Sequence, residues 1–281
     1  MKTPPKIQEL IEQGALFVCN HSAGKDSQAM YLVLKDLVPT HQLLIIHAEL
    51  PGVDWPGLVE HIEATTSGEP LILARAAKTF FEMVERRGMF PSPSQRQCTS
   101  DLKRDPIARE IRNYLKAHPE HAGRIVNCMG IRAEESSSRA RKNPLKFDLR
   151  NSKAGREWWE WYPIFEWSEA AVFTAIESAG QQPHQAYAAG MSRLSCCFCI
   201  MSSRADLQTA AKLKPALLEQ YAELEEKVGH TMSMTRRPIK ELAQPETPTP
   251  SLEATPAGLQ YIIPGAEKRQ RPSAQQLELL F

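Results

Sequence analysis

The 281-residue chain holds only six cysteines, and none follows Cys199. So sparse a set excludes a disulfide-scaffolded miniprotein. Three of the six crowd into Cys196, Cys197 and Cys199, and in a reducing compartment that crowding points to metal or sulfur chemistry. Net charge is also lacking: 34 Lys+Arg against 33 Asp+Glu leave a formal +1, so the total argues for no acidic partner. No apolar run reaches the length of a membrane-spanning helix. Residues 1–10 are charged and Pro-containing, without the apolar core of a signal peptide, so a cytoplasmic location and no membrane partner are expected. There is no internal repeat. The eight histidines are scattered without metal-ligand spacing and read as surface or core residues, His21 being the exception worth testing. What is present, 42% hydrophobic and 24% charged residues, is the composition of a soluble globular enzyme rather than a disordered or fibrous chain.

Short apolar, turn-flanked runs at 15–20 (ALFVCN), 43–48 (LLIIHA), 71–74 (LILA) and 124–129 (RIVNCM) predict buried strands. Between them, 27–37, 57–65, 78–87 and 101–117 carry helical spacing. This alternation predicts an α/β fold with a mostly parallel sheet covered by helices on both faces. Residues 138–156 read as a polar, basic loop, 158–167 as an aromatic segment re-entering the core, and 168–179 and 205–227 as helices around a Cys-rich turn. Cys19 and Cys128 sit inside apolar strands and read as core. From 244 the composition turns Pro/Thr/Ala-rich, which predicts a disordered tail. The expected organisation is a nucleotide-binding domain over 1–165, a helical and Cys-rich region over 166–243, and the tail over 244–281.

The strongest motif is Ser22-Ala23-Gly24-Lys25-Asp26-Ser27, directly between a predicted strand and a predicted helix. Small residues let backbone N–H groups approach an anion, the helix N-terminus adds partial positive charge, Lys25 a point charge and Ser27 a hydroxyl. It is not a Walker loop, because Asp26 stands where Ser or Thr would hold magnesium. As a loop residue, Lys25 is expected to face solvent and to contribute nothing to the core. The competing reading is a Ser/Gly turn that only caps a helix.

This string resembles the Ser-Gly-Gly-x-Asp-Ser loop of the PP-loop ATP pyrophosphatase and phosphoadenosine phosphosulfate (PAPS) reductase superfamily, with Ala23 in place of the first glycine. His47-Ala-Glu49 resembles the family's nucleotide-contacting segment. Gly130-Ile-Arg132-x-x-Glu135-Ser136 with Arg139 is similar to its later motif. Arg96-x-Cys98-x-x-x-Leu102-Lys103 resembles the region around the first cysteine of adenylyl-sulfate reductases. The blocks keep family order over roughly residues 15 to 230. The resemblance implies a three-layer PP-loop fold and binding of ATP or a related adenine nucleotide, with Mg2+. Lys25, Asp26, Lys103, Arg132 and Arg139 would be catalytic, around an α-phosphorus whose developing charge needs donors positioned in advance. Between Arg86 and Lys142, thirteen Lys/Arg face six Asp/Glu, an excess of seven that the neutral total hides. Arg109, Arg112 and Lys116 read as an ordinary solvated helix face.

In reductases of this resemblance a tandem Cys pair and a later Cys-x-x-Cys hold a [4Fe–4S] cluster. Here position 97 is Gln97, so Cys98, Cys196 and Cys199 remain, with Cys197 the uncertain fourth ligand. Three thiolates would leave one iron open, the arrangement of related tRNA-thiolating enzymes; a closed zinc site or a metal-free core turn are the alternatives. The thioredoxin-dependent PAPS reductases attack with a C-terminal cysteine, and this chain has none there, which makes reduction of free PAPS chemically awkward.

Residues 139–156 carry seven Lys/Arg and one acid, and Trp158, Trp159, Trp161, Tyr162 and Trp167 follow. Basic groups with aromatic platforms suit single-stranded nucleic acid; a solvated loop beside an aromatic core strand is the plain alternative. The last six residues, with Gln276, Leu277, Leu279 and Phe281 at the fixed positions, resemble the bacterial sliding-clamp-binding hexapeptide on a flexible tether. The terminus packing back on the domain is the alternative. The favoured expectation is an ATP-dependent sulfur-transfer enzyme that cleaves a nucleotide at the α-phosphate and acts on nucleic acid, DNA more than RNA, with a sulfur donor protein. DNA phosphorothioation proteins resembling PAPS reductases are the nearest analogue. The alternatives are a PAPS or adenylyl-sulfate reductase yielding sulfite, and a clamp-associated nucleotide-binding module without turnover.

Overall fold

Alternate side chains along a strand point to opposite faces, so a run that is apolar at every position must be covered on both sides. The apolar runs do this in the computed structural model, which describes residues 3–244 and the strands Ser251–Thr255 and Gly258–Ile262. Strands β1 (Leu16–Asn20), β2 (Leu43–Glu49), β3 (Leu71–Arg75), β4 (Arg124–Cys128), β5 (Leu145–Phe147) and β6 (Glu157–Trp161) form one sheet in the order β3-β2-β1-β4-β6-β5. All neighbours are parallel except β5, which pairs antiparallel with β6 at the edge. Phe17, Cys19, Val126, Cys128 and Trp161 enter one core, and Leu16, Val18, Leu44, Ile46, Ile125 and Trp158 the other. Fully burying a side chain such as Leu16 or Phe17 contributes roughly 1.5–3 kcal/mol.

Helices α1 (Pro5–Glu12), α2 (Lys25–Leu37), α3 (Leu58–Thr65) and α4 (Phe80–Arg87) belong to the first core through Ile7, Met30, Ile62 and Met83. A short α5 (Gln97–Thr99) runs through a π-helical turn, Ser100–Arg104, into α6 (Asp105–Ala117), which covers the second core with Ala108 and Ile111. Helices α7 (Ser137–Ala140), α8 (Glu169–Ser178), α9 (Gln185–Ala188), α10 (Arg204–Leu213), α11 (Pro215–Val228) and α12 (Ile239–Ala243) complete the domain. The fold is thus the expected three-layer α/β arrangement. Met1–Ala243 forms a single compact unit, so the helical and Cys-rich region packs onto the sheet domain. Tyr221 of α11 stacks on Phe80 of α4 at 5.6 Å between centroids.

Two segments differ from expectation. The basic stretch 138–156 is not all loop: it contains most of α7 and the edge strand β5, with Leu145 opposite Trp161 and Phe147 opposite Trp159. The aromatics re-enter the core as read from the sequence: Trp158, Trp161 and Tyr162 are buried, and Trp159 meets Phe147 edge to face, so they are not free platforms for bases. The expected helix 205–227 is two helices, broken before Pro215, whose ring cannot continue an α-helix. Among the described residues no helix is long and apolar enough to cross a membrane. Residues 244–281 form a separate unit in which β7 (Ser251–Thr255) and β8 (Gly258–Ile262) pair antiparallel. The hexapeptide with Gln276, Leu277, Leu279 and Phe281 lies outside the described residues.

The topology fixes where a ligand fits. From β1 the chain crosses to β2 on one side, while β4 lies on the other. In such open sheets the crevice beyond the carboxyl ends of the strands on either side of this reversal is the ligand site.

Candidate active site

Residues 22–27 occupy that crevice. Ala23 takes φ +62°, a left-handed conformation that glycine adopts freely and alanine does not. Ser27 braces the turn: its hydroxyl donates to the Gly24 carbonyl at 2.8 Å and accepts the Ser22 amide at 3.1 Å. It is therefore a strut of the loop rather than the free anion donor expected. Helix α2 begins at Lys25 with Gly24 as N-cap, and no side chain caps it. The amides of Asp26 and Ser27 in its first turn remain for an anion, where the helix dipole favours negative charge. A capping turn would have supplied the missing cap.

Lys25 does not face solvent. It is buried, with Nζ 3.1 Å from Glu169 and 3.6 Å from Asp26, over the rings of Tyr187 and Phe173 at 5.4 and 5.9 Å. Burial works against the ammonium, but Asp26, Tyr187 and Glu169 outweigh it and raise its pKa. The Tyr187 hydroxyl accepts the Lys25 amide at 3.0 Å and so roofs the loop.

Opposite the loop, Arg132 is buried. Its Nε donates to Asp26 at 2.6 Å and its Nη1 to Glu134 at 2.6 Å and to the Trp167 carbonyl at 3.3 Å. Gly130 is required by close approach: a Cβ there would lie 2.8 Å from the Asp26 carbonyl. Arg139 pairs with Glu135 beside the same cavity. The cavity measures about 500 Å3 and is lined by the loop, Arg132, Arg139, Glu134, Glu135, Glu169, Tyr187 and Arg193.

The thiols lie next door. The π-helical turn brings Lys103, partly buried, beside Cys196, Asp54, Cys199 and Cys98, and these acidic groups raise its pKa. Burial pushes the Cys196 thiol up to about 12, against the pull of Lys103. Cys98 is raised as well, by burial first and by Cys199 second. Cys197 is fully buried, with Lys214 and Cys196 as its foremost charged neighbours. Among the described residues no three cysteine sulfurs lie within 4.8 Å of one another. Thiolates on one zinc ion, each at about 2.3 Å, would sit within about 4 Å, so a closed zinc site is not preformed. Cys98, Cys196 and Cys199 are the three thiols that act electrostatically on Lys103. Cys19 and Cys128 are core, as expected.

A match to the phosphoadenosine phosphosulfate reductase domain spans residues 17–202, from β1 to just past the Cys turn. The chain belongs to this family.

Membership in this PAPS reductase family accounts for the loop at the end of β1. The chain is 28% identical over 158 residues to an uncharacterized 37.8 kDa protein of Escherichia phage 186, covering 56% of this chain and 46% of that protein. It is 25% identical over 201 residues to an uncharacterized protein of Methanocaldococcus jannaschii, covering 71% and 39%. The chain thus spans less than half the length of these curated relatives. Among solved structures it is similar to Candida glabrata FMN adenylyltransferase (13% identity, TM-score 0.41, covering 68% of this chain and 62% of that one). It is also similar to the phosphate complex of PAPS reductase from Candida auris (9% identity, TM-score 0.41, covering 70% and 97%).

Of the residues expected to share a site, the loop, Gly130, Arg132 and Arg139 converge, and Lys103 stands with the thiols. His47 is buried beside the loop, with Nδ1 2.8 Å from the His21 carbonyl, and lines a space of about 280 Å3 that also contacts Ser22, Lys103 and Asp54. Glu49 does not join it: it pairs with Arg75 and lines a different cavity with Lys78 and Thr79. Sequence reasoning missed Tyr187, Glu169, Asn20 and Arg193. Arg193 lines both the loop cavity and the His47 space. The neighbouring Ser192, whose amide and hydroxyl donate to Asp206 at 2.7 and 2.8 Å, helps to hold it there. An Arg three residues before Cys196 was the available signal.

Proposed function

We propose that this PAPS reductase family member is an ATP-dependent sulfur-transfer enzyme that cleaves a nucleotide at the α-phosphate and modifies nucleic acid. One observation carries the reading: Asn20, the last residue of β1, lines three adjoining spaces. The first is the loop cavity. The second is the space by His47, Lys103 and Asp54 next to the thiols. The third, about 780 Å3, is lined by six cations, Lys103, Arg104, Arg112, Lys146, Arg150 and Lys153, against Asp105, Asp148 and Glu160. A cationic groove tracks a phosphate backbone, and this one opens where an activated phosphorus and a sulfur could meet.

In this reading the α2 amides and Lys25 hold the outer phosphates of ATP, Lys25 leaving Glu169 for the ligand. Arg132 positions Asp26, while Arg139 and Arg193 face the α-phosphate. Asp26, Glu134, Glu135 and Glu169 offset the cations of the cavity, so a polyphosphate arrives with its own counter-charge, Mg2+, whose hard oxygen ligands these carboxylates match. Cys98, Cys196 and Cys199 would hold an iron–sulfur centre, which supplies a place for a transferable sulfur brought by a donor protein. Trapping around Asn20 keeps the acceptor phosphate and the nucleotide in one orientation.

Reduction of PAPS to sulfite is the competing outcome. Residues 276–281 are proposed as a tether to a sliding clamp, supported by their sequence alone. Three assays separate the readings. Pyrophosphate release from ATP that rises with DNA or RNA supports transfer. Sulfite formed from PAPS without ATP supports reduction, and nucleotide binding with neither product supports a binding module.

A further inference from the structure

Away from the crevice, at the opposite end of the parallel strands, the turn between α6 and β4 brings together His118, Glu120 and His121. A ring nitrogen of each histidine and a carboxylate oxygen of Glu120 lie within 4.8 Å of one another. The scattered spacing of histidines along the sequence had argued against any such group.

We propose that these three side chains form a binding site for a divalent transition metal, of the Zn2+ class. The decisive residue is His121, only 1% exposed. Its Nδ1 lies 3.0 Å from the Gly14 carbonyl, so that nitrogen carries the proton and donates it. Nε2 is left with a lone pair, buried, and without any hydrogen-bond partner. An imidazole held by a backbone carbonyl on one nitrogen and open on the other is how a protein presents histidine to a metal. Leaving it empty is costly, because a buried polar atom without a partner loses its hydration.

The other two ligands are prepared as well. The His118 ring stacks on Tyr114 with centroids 3.9 Å apart and 14° between planes, which fixes its orientation. Its Nδ1 is 2.9 Å from the Glu120 carboxylate, so a cation would take the place of the shared proton. The site closes the C-terminus of α6, a thirteen-residue helix whose dipole favours a cation there. Two imidazoles and one carboxylate suit Zn2+ with water completing the tetrahedron. Because His121 is bonded to the turn before β1, a bound ion would fasten the bases of β1 and β4, whose far ends carry the crevice.

The test uses full-length protein freed of metal by a chelator, with Zn2+ alone as the probe. Bound zinc is counted after gel filtration, and its ligands are read by X-ray absorption at the zinc edge, which separates nitrogen and oxygen from thiolate sulfur. Wild type is expected to hold one equivalent in a nitrogen/oxygen environment and to gain thermal midpoint on binding. His118→Ala should lose that equivalent, with affinity at least tenfold weaker. Glu120→Gln, at an exposed position, gives the same comparison if His118→Ala folds poorly. Cys199→Ser should retain it. No nitrogen/oxygen-bound zinc in wild type, or an equal amount in wild type and Glu120→Gln, would overturn the proposal.

Discussion

Arg132 Nε and Asp26 Oδ1 lie 2.6 Å apart, joined across 106 residues of chain, and bind the end of β4 to the first turn of α2. The guanidinium is buried and the carboxylate partly exposed, so the pair fixes the geometry of the loop from behind. Asp26→Ala leaves the Arg132 guanidinium with Glu134 and the Trp167 carbonyl. A loss of roughly 2–3 kcal/mol is expected, below the usual range for a broken buried pair because one acid remains. Urea unfolding of the variant at neutral pH measures it, and a change under half a kcal/mol would show that the pair does not hold the loop.

Gly130→Ala should be worse for binding than for folding. The added methyl would lie 2.8 Å from the carbon and oxygen of the Asp26 carbonyl, backbone atoms that cannot rotate away. The helix start must shift, and with it the amides offered to an anion. Loss of ATP affinity by at least tenfold with the fold retained is the expected outcome in a titration.

Much of this was legible in the sequence. Within the run 43–48, positions 43–46 (LLII) are all apolar, as a short strand covered on both faces should be. The loop was legible because small residues, a lysine and an acid coincide at a strand-to-helix corner. Lys25 was misread as solvent-facing because its cover, Tyr187 and Phe173, comes from residues about 150 positions later in the chain. Tyr187 and Glu169 were missed for the same reason: local spacing carries no trace of a partner on α8 or α9. The edge strand β5 was hidden by its length, three residues with Lys146 between Leu145 and Phe147 inside a basic stretch, too short for a periodic pattern to show.

Acid should destabilise the protein early. Burial first, then the neighbouring imidazoles His61 and His47, pushes His21 down to about 3. Burial and His184 lower His61 to about 4. Unfolded histidine titrates near 6.5, so below about pH 6.5 the unfolded chain takes up protons that the folded chain refuses. This contribution to stability is complete above that pH and shrinks as pH falls toward the folded values. For His21 alone the loss is about 2 kcal/mol at pH 5. Urea midpoints at pH 7 and pH 5 test this, and His21→Gln should flatten the dependence.

The thiols give a separate forecast. If Cys98, Cys196 and Cys199 hold an iron–sulfur centre, Cys98→Ser or Cys199→Ser should bleach the brown absorbance of anaerobically purified protein. Cys197→Ser should keep the colour, since Cys197 has Lys214 rather than Lys103 as its foremost charged neighbour. Iron and labile sulfide assayed together on each variant decide it.

The most direct measurement is calorimetric titration of ATP and of adenylyl sulfate into anaerobic full-length protein, beside Lys25→Met. Methionine keeps the buried stem against Tyr187 and Phe173 but removes the ammonium. One site on the wild type for at least one of these nucleotides, weakened about tenfold or more in the variant with its melting midpoint nearly kept, is the predicted result. Neither nucleotide binding to wild type, or equal binding to both proteins, would contradict it.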